Sequence, residues 1–289
     1  TTLLVSLIVG FVFFYYGKNY KKNINFFEQL ILIIASYILT SLLVAIPFYL
    51  SNYQVTFLNS IFESISGLTG TGFSIFKNIK YLDPTLILWR SSSQWIGGLF
   101  FLFFLIIIFS NKSFNYKMTN LTFSGERNIN SEENIKDNIL KILIIYLALS
   151  ILILTLLNYS GLRLFNSLNM SMTLVSGGGF LPTDSINKII STNFQKIIFI
   201  FSLILSMLNF YLLLNLFNKN ILIKEHREDL YLIILSIILC ILIYFNNYQG
   251  LDIIISVVSS LANSGLTLVK SDNNLSLYFL LITIIGGSI

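Results

Sequence analysis

Apolar stretches of fifteen to twenty-five residues recur along the whole chain, and they constrain the fold more than anything else in it. They cover residues 2–16, 26–50, 86–109, 139–157, 194–217, 230–245 and 275–289. A helix needs about 20 mostly apolar residues to cross a bilayer. These runs are therefore predicted transmembrane helices, the first and last shortened by where the sequence starts and stops. Of the 289 residues, 55% are hydrophobic and 11% charged. A soluble domain carries roughly 25% charged residues, so a water-facing surface cannot be assembled from this composition. Disordered, collagen-like and coiled-coil chains need more charge, Pro or Gly than is present. The runs also lack the alternation of an outer-membrane barrel strand. The predicted class is an all-α, multi-pass membrane protein in contact with membrane lipid.

The connections between the runs are of two kinds, and the kinds alternate. One is basic: Lys18, Lys21 and Lys22; then Lys112, Lys117, Arg127, Lys136 and Lys141; then Lys219, Lys224 and Arg227. The other is rich in Ser, Thr, Asn and Gly and spans residues 51–85, 159–193 and 246–274. The positive-inside rule places the basic connections in the cytoplasm and the Gly/Ser-rich ones outside. The net charge of +5 is scattered over these loops, which fits topology and not a nucleic-acid surface, so no nucleic acid is expected as a partner. Residues 111–138, with Glu126, Glu132, Glu133 and Asp137 among their cations, are read as a solvated cytoplasmic loop. Thr1 opens directly on an apolar run and the last residues are still inside one, so the chain is expected to be a fragment of something longer.

The outer stretches repeat. FLNSIFESISGLTGTGFSIF (57–76), LFNSLNMSMTLVSGGGFLPT (164–183) and LDIIISVVSSLANSGLTLV (251–269) align on Gly72, Gly179 and Gly265. Six positions earlier stand Ser66, Thr173 and Ser259; four earlier, Leu68, Val175 and Leu261; one later, Phe73, Phe180 and Leu266. Each copy is an amphipathic run of about three turns ending in small residues, too short to span a membrane and flanked by long apolar runs. That is the form of a helix–re-entrant loop–helix unit. Residues 26–110, 139–218 and 219–289 are then three such units, preceded by a helix and linker over residues 1–25.

A half-helix that stops within the membrane directs its negative C-terminal end at the centre. Glycines let the backbone beyond it adopt left-handed conformations, and irregular backbone at that depth survives only where it lines a cavity. Rings of main-chain carbonyls can replace the hydration shell of a cation. The expected ligands are main-chain oxygens of Thr69, Gly70, Thr71 and Gly72; of Ser176, Gly177, Gly178 and Gly179; and of Ala262, Asn263, Ser264 and Gly265. The alternative is that clusters of small residues only let helices pack closely.

The motifs ESISGLTGTGFSIF (63–76) and LWRSSSQWIGG (88–98) resemble the first pore loop and following helix of the TrkH/KtrB potassium-uptake family. SGGGFLPTDS (176–185) is similar to the second filter of that family and SVVSSLANSGL (256–266) to the third. The resemblance implies a translocating subunit that passes dehydrated potassium, its substrate and not a cofactor, across the bacterial cytoplasmic (inner) membrane. Potassium would bind at the filter residues named above, moved by the membrane potential or as a symporter by coupled ions. It further implies a homodimer with a cytoplasmic nucleotide-binding regulatory subunit, and four units around one pore. Gly72, Gly179 and Gly265 fall on the filter glycines, and glycine in the first favours potassium over sodium. Gly70 departs from the usual Thr, and IGGSI (285–289) matches only the start of a gating loop, so the gate and the fourth unit are expected to be missing.

Other residues carry lesser expectations. Glu63, an intramembrane carboxylate, either draws in cations or hydrogen-bonds to hold its loop. Arg90 and Gln94, four residues apart on one helix face, either brace the filter or anchor the helix at the interface, and Trp89 and Trp95 are read as interfacial or packing aromatics. Asp83, Asp184, Asp252 and Asp272 are vestibule or plain loop carboxylates, and Asn209 and Asn215 are read as bonding to neighbouring helices. Cys240 lies alone in an apolar run. His226, the one histidine, lies in a charged cytoplasmic run. No zinc spacing, P-loop or carboxylate pair points to an enzyme. A broken-helix secondary transporter and a non-conducting scaffold or decayed fragment are the alternatives.

Overall fold

The computed structural model describes residues 2–18, 25–109, 132–208, 227–244, 250–269 and 273–288. Asn209, Asn215, His226 and Asp272 lie outside these residues, as does most of the 111–138 connection. Every α-helix or 3-10 turn in the described part belongs to one series, and no strand occurs there. The helices are α1 (Thr2–Gly17), α2 (Phe26–Tyr49), α3 (Phe57–Leu68), α4 (Pro84–Phe109), α5 (Glu132–Tyr159), α6 (Leu164–Val175), α7 (Asn193–Met207), α8 (Arg227–Tyr244), α9 (Leu251–Leu261) and α10 (Asn273–Ser288).

Three of these, Phe26–Tyr49, Pro84–Ile108 and Ile139–Tyr159, are long and apolar enough to cross a membrane. The repeated motifs form α3, α6 and α9, of 12, 12 and 11 residues. At 1.5 Å per residue each is about 18 Å long, little more than half the hydrocarbon thickness. Local signals start the helices. The Thr56 hydroxyl accepts the Asn59 N–H at the head of α3, and Pro84 opens α4 at the position where its missing N–H costs nothing.

Each short helix packs inside its own unit, and the second and third also pack against the preceding one. α3 lies between α2 and α4; α6 touches α5 and α4; α9 touches α8, α10 and α7. One apolar core runs through these junctions, from Leu99 on α4 through Tyr146 and Ile153 on α5 to Val258 and Leu266 in the third unit. Burial is otherwise inverted relative to a soluble protein. Ile31, Ile34, Ile144, Ile151, Ile237 and Leu281 are exposed, while Ser60, Glu63, Arg90, Gln94, Asn169 and Ser256 are buried.

Two boundaries differ from expectation. The run expected to span residues 194–217 is not one uninterrupted helix: α7 ends at Met207 and Leu208 is extended (φ −64°, ψ 142°). Leu208 is neither Gly nor Pro, and nothing at that position accounts for the break. The connection 111–138 ends early, because α5 already begins at Glu132.

Two glycines fix the closest helix approaches. A Cβ on Gly97 of α4 would overlap the carbonyl oxygen of Leu68, the last residue of α3. One on Gly286 of α10 would overlap that of Leu261, the last residue of α9. Both are the first glycine of a Gly-Gly pair, and Leu68 and Leu261 are equivalent in the repeat. Gly97→Ala and Gly286→Ala are each expected to destabilise by about 1–3 kcal/mol. Gly10→Ala, which meets nothing within 4 Å, should not. Thermal unfolding of the detergent-solubilised protein checks this, and an unchanged midpoint for both packed glycines would contradict the close approach.

Candidate functional site

The three short helices end in the same turn. Thr69, Ser176 and Ala262 close α3, α6 and α9, and the next residues, Gly70, Gly177 and Asn263, turn left-handed at φ +70°, +67° and +55°. Their N–H groups donate back to the carbonyls of Gly67, Leu174 and Ser260 at 3.1, 3.0 and 3.2 Å. The N–H groups of Gly178 and Ser264 donate to the carbonyls of Thr173 and Ser259 at 2.8 and 3.0 Å. This is the Schellman pattern; in the first loop the longer closure runs from Gly72 N–H to the Ser66 carbonyl, at 3.5 Å. The left-handed region favours glycine and, among other residues, Asn. Gly70 suits its position, where a β-branched residue would be strained. Gly72 and Gly265 are also left-handed, at +78° and +64°.

The loops lie side by side, and one step relates each to the next. A methyl group on Gly70 would lie 3.7 Å from the Ser176 carbonyl oxygen, and one on Gly177 would lie 3.6 Å from that of Ala262. Gly72 likewise abuts the backbone of Gly179, and Gly179 the carbonyl of Ser264, while Gly265 meets nothing within 4 Å. The first, second and third loops thus form an arc with the third on its open side. Thr69, Thr71, Asn263 and Gly265 are exposed, whereas Gly178 and Ser264 are buried. The Thr69 and Thr71 hydroxyls bond to each other at 2.5 Å. Among the described residues no three His, Cys, Asp or Glu side chains group as metal ligands. Clustered main-chain oxygens and hydroxyls suit a monovalent cation that has shed its water.

Behind the arc lies a buried ion pair. Glu63, on α3, is 0% exposed and Arg90, on α4, is 1%. Arg90 Nε donates to Glu63 Oε1 at 2.8 Å. The same carboxylate accepts the Ser74 hydroxyl and the Ile75 N–H, both at 2.9 Å. Arg90 also donates to Ser74 Oγ at 3.0 Å and to the Leu181 carbonyl at 3.5 Å, and its guanidinium stacks 4.2 Å from the Phe180 ring centre. Every donor on the carboxylate therefore comes from the first loop or from Arg90, and Arg90 reaches across to the second loop. Gln94 turns wholly to the second loop: its Oε1 accepts the Phe180 N–H at 3.2 Å.

Other supports were not readable beforehand. Aligning the repeats marks Ser66 and Ser259 without showing what they do. The Ser66 hydroxyl donates to the Phe73 carbonyl, and the Ser259 hydroxyl accepts the Leu266 N–H, each at 2.6 Å. Ser74 carries no sequence signal. Trp89 and Trp95 are packing residues, donating to the Val44 carbonyl at 3.1 Å and to the Ser150 hydroxyl at 2.9 Å.

Two acidic residues, Asp184 and Asp252, tie units together. Asp184, in the second unit, accepts the Lys80 N–H of the first at 3.2 Å and pairs with Lys188 at 2.6 Å. Asp252, heading α9, pairs with Lys196 of α7 at 2.6 Å. Asp83 is exposed, its carbonyl accepting the first α4 amides. The Lys188 ammonium, then the Lys80 amide, hold the Asp184 carboxyl below the usual aspartate range. A carboxyl lowered by folding stabilises above its unfolded pKa and loses that contribution as pH falls through the folded one. The stability difference between wild type and Asp184→Asn should thus persist at neutral pH and fade only in acid below about pH 4, as unfolding midpoints across pH would show.

The buried pair makes a sharper prediction. Removing one partner leaves an uncompensated charge at a cost of roughly 3–5 kcal/mol. Glu63→Met and Arg90→Met should each lower the unfolding midpoint severely, and the double variant should be less impaired than their sum. Strict additivity in that cycle would show that the two side chains act independently.

Residues 2–233 match the family model described as TrkH, cation transport protein. An uncharacterised cation transporter of Methanocaldococcus jannaschii is 27% identical over 99% of the chain and 61% of its own length. The Trk system potassium uptake protein TrkH of Salmonella typhimurium is 24% identical over 70% of the chain and 43% of its length. In three dimensions the chain is similar to the crystal structure of the potassium transporter TrkH from Vibrio parahaemolyticus. The TM-score is 0.76 at 18% identity, with 99% of this chain and 61% of that one covered. The chain thus spans about three fifths or less of the length of these relatives.

Proposed function

The chain belongs to the TrkH family of cation transport proteins, and from that premise we propose that it carries part of a potassium path in the translocating subunit of a Trk-type uptake system. The observation that carries this reading is the arc of three equivalent left-handed turns set side by side at the ends of half-length helices. Potassium, the substrate, loses its water to main-chain oxygens of Thr69–Gly72, of Ser176–Gly179 and of Ala262–Gly265. The membrane potential or a symported ion drives it inward across the cytoplasmic membrane. The full protein works as a homodimer with a nucleotide-binding regulatory subunit, met through the basic cytoplasmic connections. No cofactor or catalytic residue enters this reading. A broken-helix carrier would be supported by repeats of opposite orientation; here the same step leads from the first loop to the second and from the second to the third.

Rubidium uptake by the full-length protein, made in a bacterium lacking its own potassium uptake, tests the reading. Uptake is expected, and none despite verified membrane insertion would sink it. Gly72→Ser should cut the preference for potassium over sodium by about ten-fold if one main-chain ligand is displaced, measured as competition of each ion with rubidium. An unchanged preference would remove Gly72 from the filter.

A further inference from the structure

The three loops are not held in place in the same way. Counted from the aligned glycine, the first and third units tie a pore-helix side chain at position minus nine to the N–H at plus three. Glu63 accepts from Ile75 at 2.9 Å, and Ser256 from Leu268 at 3.4 Å. Both units also tie the serine at minus six to the backbone at plus one, through Ser66 with Phe73 and Ser259 with Leu266. In the second unit the corresponding residues are Met170, which offers no oxygen, and Pro182, which has no N–H. Acceptor and donor are missing together. The residue at minus six, Thr173, spends its hydroxyl on the Met170 carbonyl of its own helix, at 3.0 Å. The Phe180 N–H at plus one is taken instead by Gln94 of α4, in the neighbouring unit. Gln94 is 0% exposed and lies so close to Gly178 that a Cβ there would overlap its amide. Arg90, one turn earlier on α4, reaches the Leu181 carbonyl.

We propose that Gln94 is the positioning residue of the second filter loop, supplying from the first unit the hold that the other two loops take from their own pore helices. This rests on the reading of the loops as a filter. Gln94 touches no ion in this account; it acts through the Phe180 amide and the packing of Gly178, which set where the Ser176–Gly179 backbone lies.

The test reads ion preference, which a general loss of stability would not move. In the full-length protein, Gln94→Met keeps the size of the side chain and removes the acceptor. It leaves a buried N–H unpaired, and the potassium-over-sodium ratio in rubidium competition is expected to fall about ten-fold. Gln94→Glu, which keeps an oxygen at that place, is expected to hold the ratio well above that of Gln94→Met. Adding Met170→Ser and Pro182→Ala to Gln94→Met rebuilds the internal tie and should recover part of the ratio; a triple variant no better than Gln94→Met would count against the exchange of internal for neighbouring support. If Gln94→Met keeps the wild-type ratio while Gly72→Ser lowers it, the proposal fails and the filter reading stands. If neither variant moves the ratio, both fail. Should Gln94→Met not reach the membrane, Gln94→Asn, which withdraws the oxygen by one methylene, takes its place with the same expectation.

Discussion

A main chain that leaves its helix inside an apolar slab must find every hydrogen-bond partner within the protein, because no water is there to supply one. Much of what surrounds the three loops answers that demand. The left-handed turns bend the first free amides back onto the carbonyls of the helix just ended. The amides further along are met by side chains: the Glu63 carboxylate, the Ser256 and Ser259 hydroxyls and the Gln94 amide. The donors are thereby consumed from behind, while carbonyls of Ser176 and Ala262 are left beside the neighbouring loop. Such a loop can present oxygens toward its neighbours because many of its N–H groups are occupied from behind.

The Glu63–Arg90 pair is the most expensive of these devices. Two charges out of water cost several kcal/mol each, and mutual attraction offsets that only when the remaining donors and acceptors are also met. Here Ser74, Ile75 and Leu181 meet them, and the Phe76 and Phe180 rings flank the guanidinium at 5.8 and 4.2 Å. A hydrophobic pair of equal volume could fill the space. It could not hold the Ile75 amide and the Leu181 carbonyl, on two different loops, at once.

The general plan was legible because it follows from composition and period. Long apolar runs and three short amphipathic ones leave few arrangements for α2 through α10. The internal repeat located all three turns, since each short helix ends in small residues that include a glycine or asparagine able to turn left-handed. Two kinds of information were out of reach. Gln94 reads in sequence as bracing the filter or anchoring its helix, but that its oxygen meets an amide 86 residues away is not legible, since no local pattern encodes which loop a helix face will meet. The break at Leu208 is marked by neither Gly nor Pro, only by the polar Asn209 that follows it in the sequence. The pairing of Met170 with Pro182 is an intermediate case. It is printed in the sequence, yet it means something only once the register shows that the two positions face each other.

That pairing bears on which unit can stand by itself. The first and third loops carry their own ties, whereas the second, with Met170 and Pro182, leans on α4. The units are not interchangeable parts. The second unit copied to another place in the order would arrive without its support, and a unit inserted between the first and second would separate the supporter from the supported. Two residues within one repeat thus make the order of the units part of the structure.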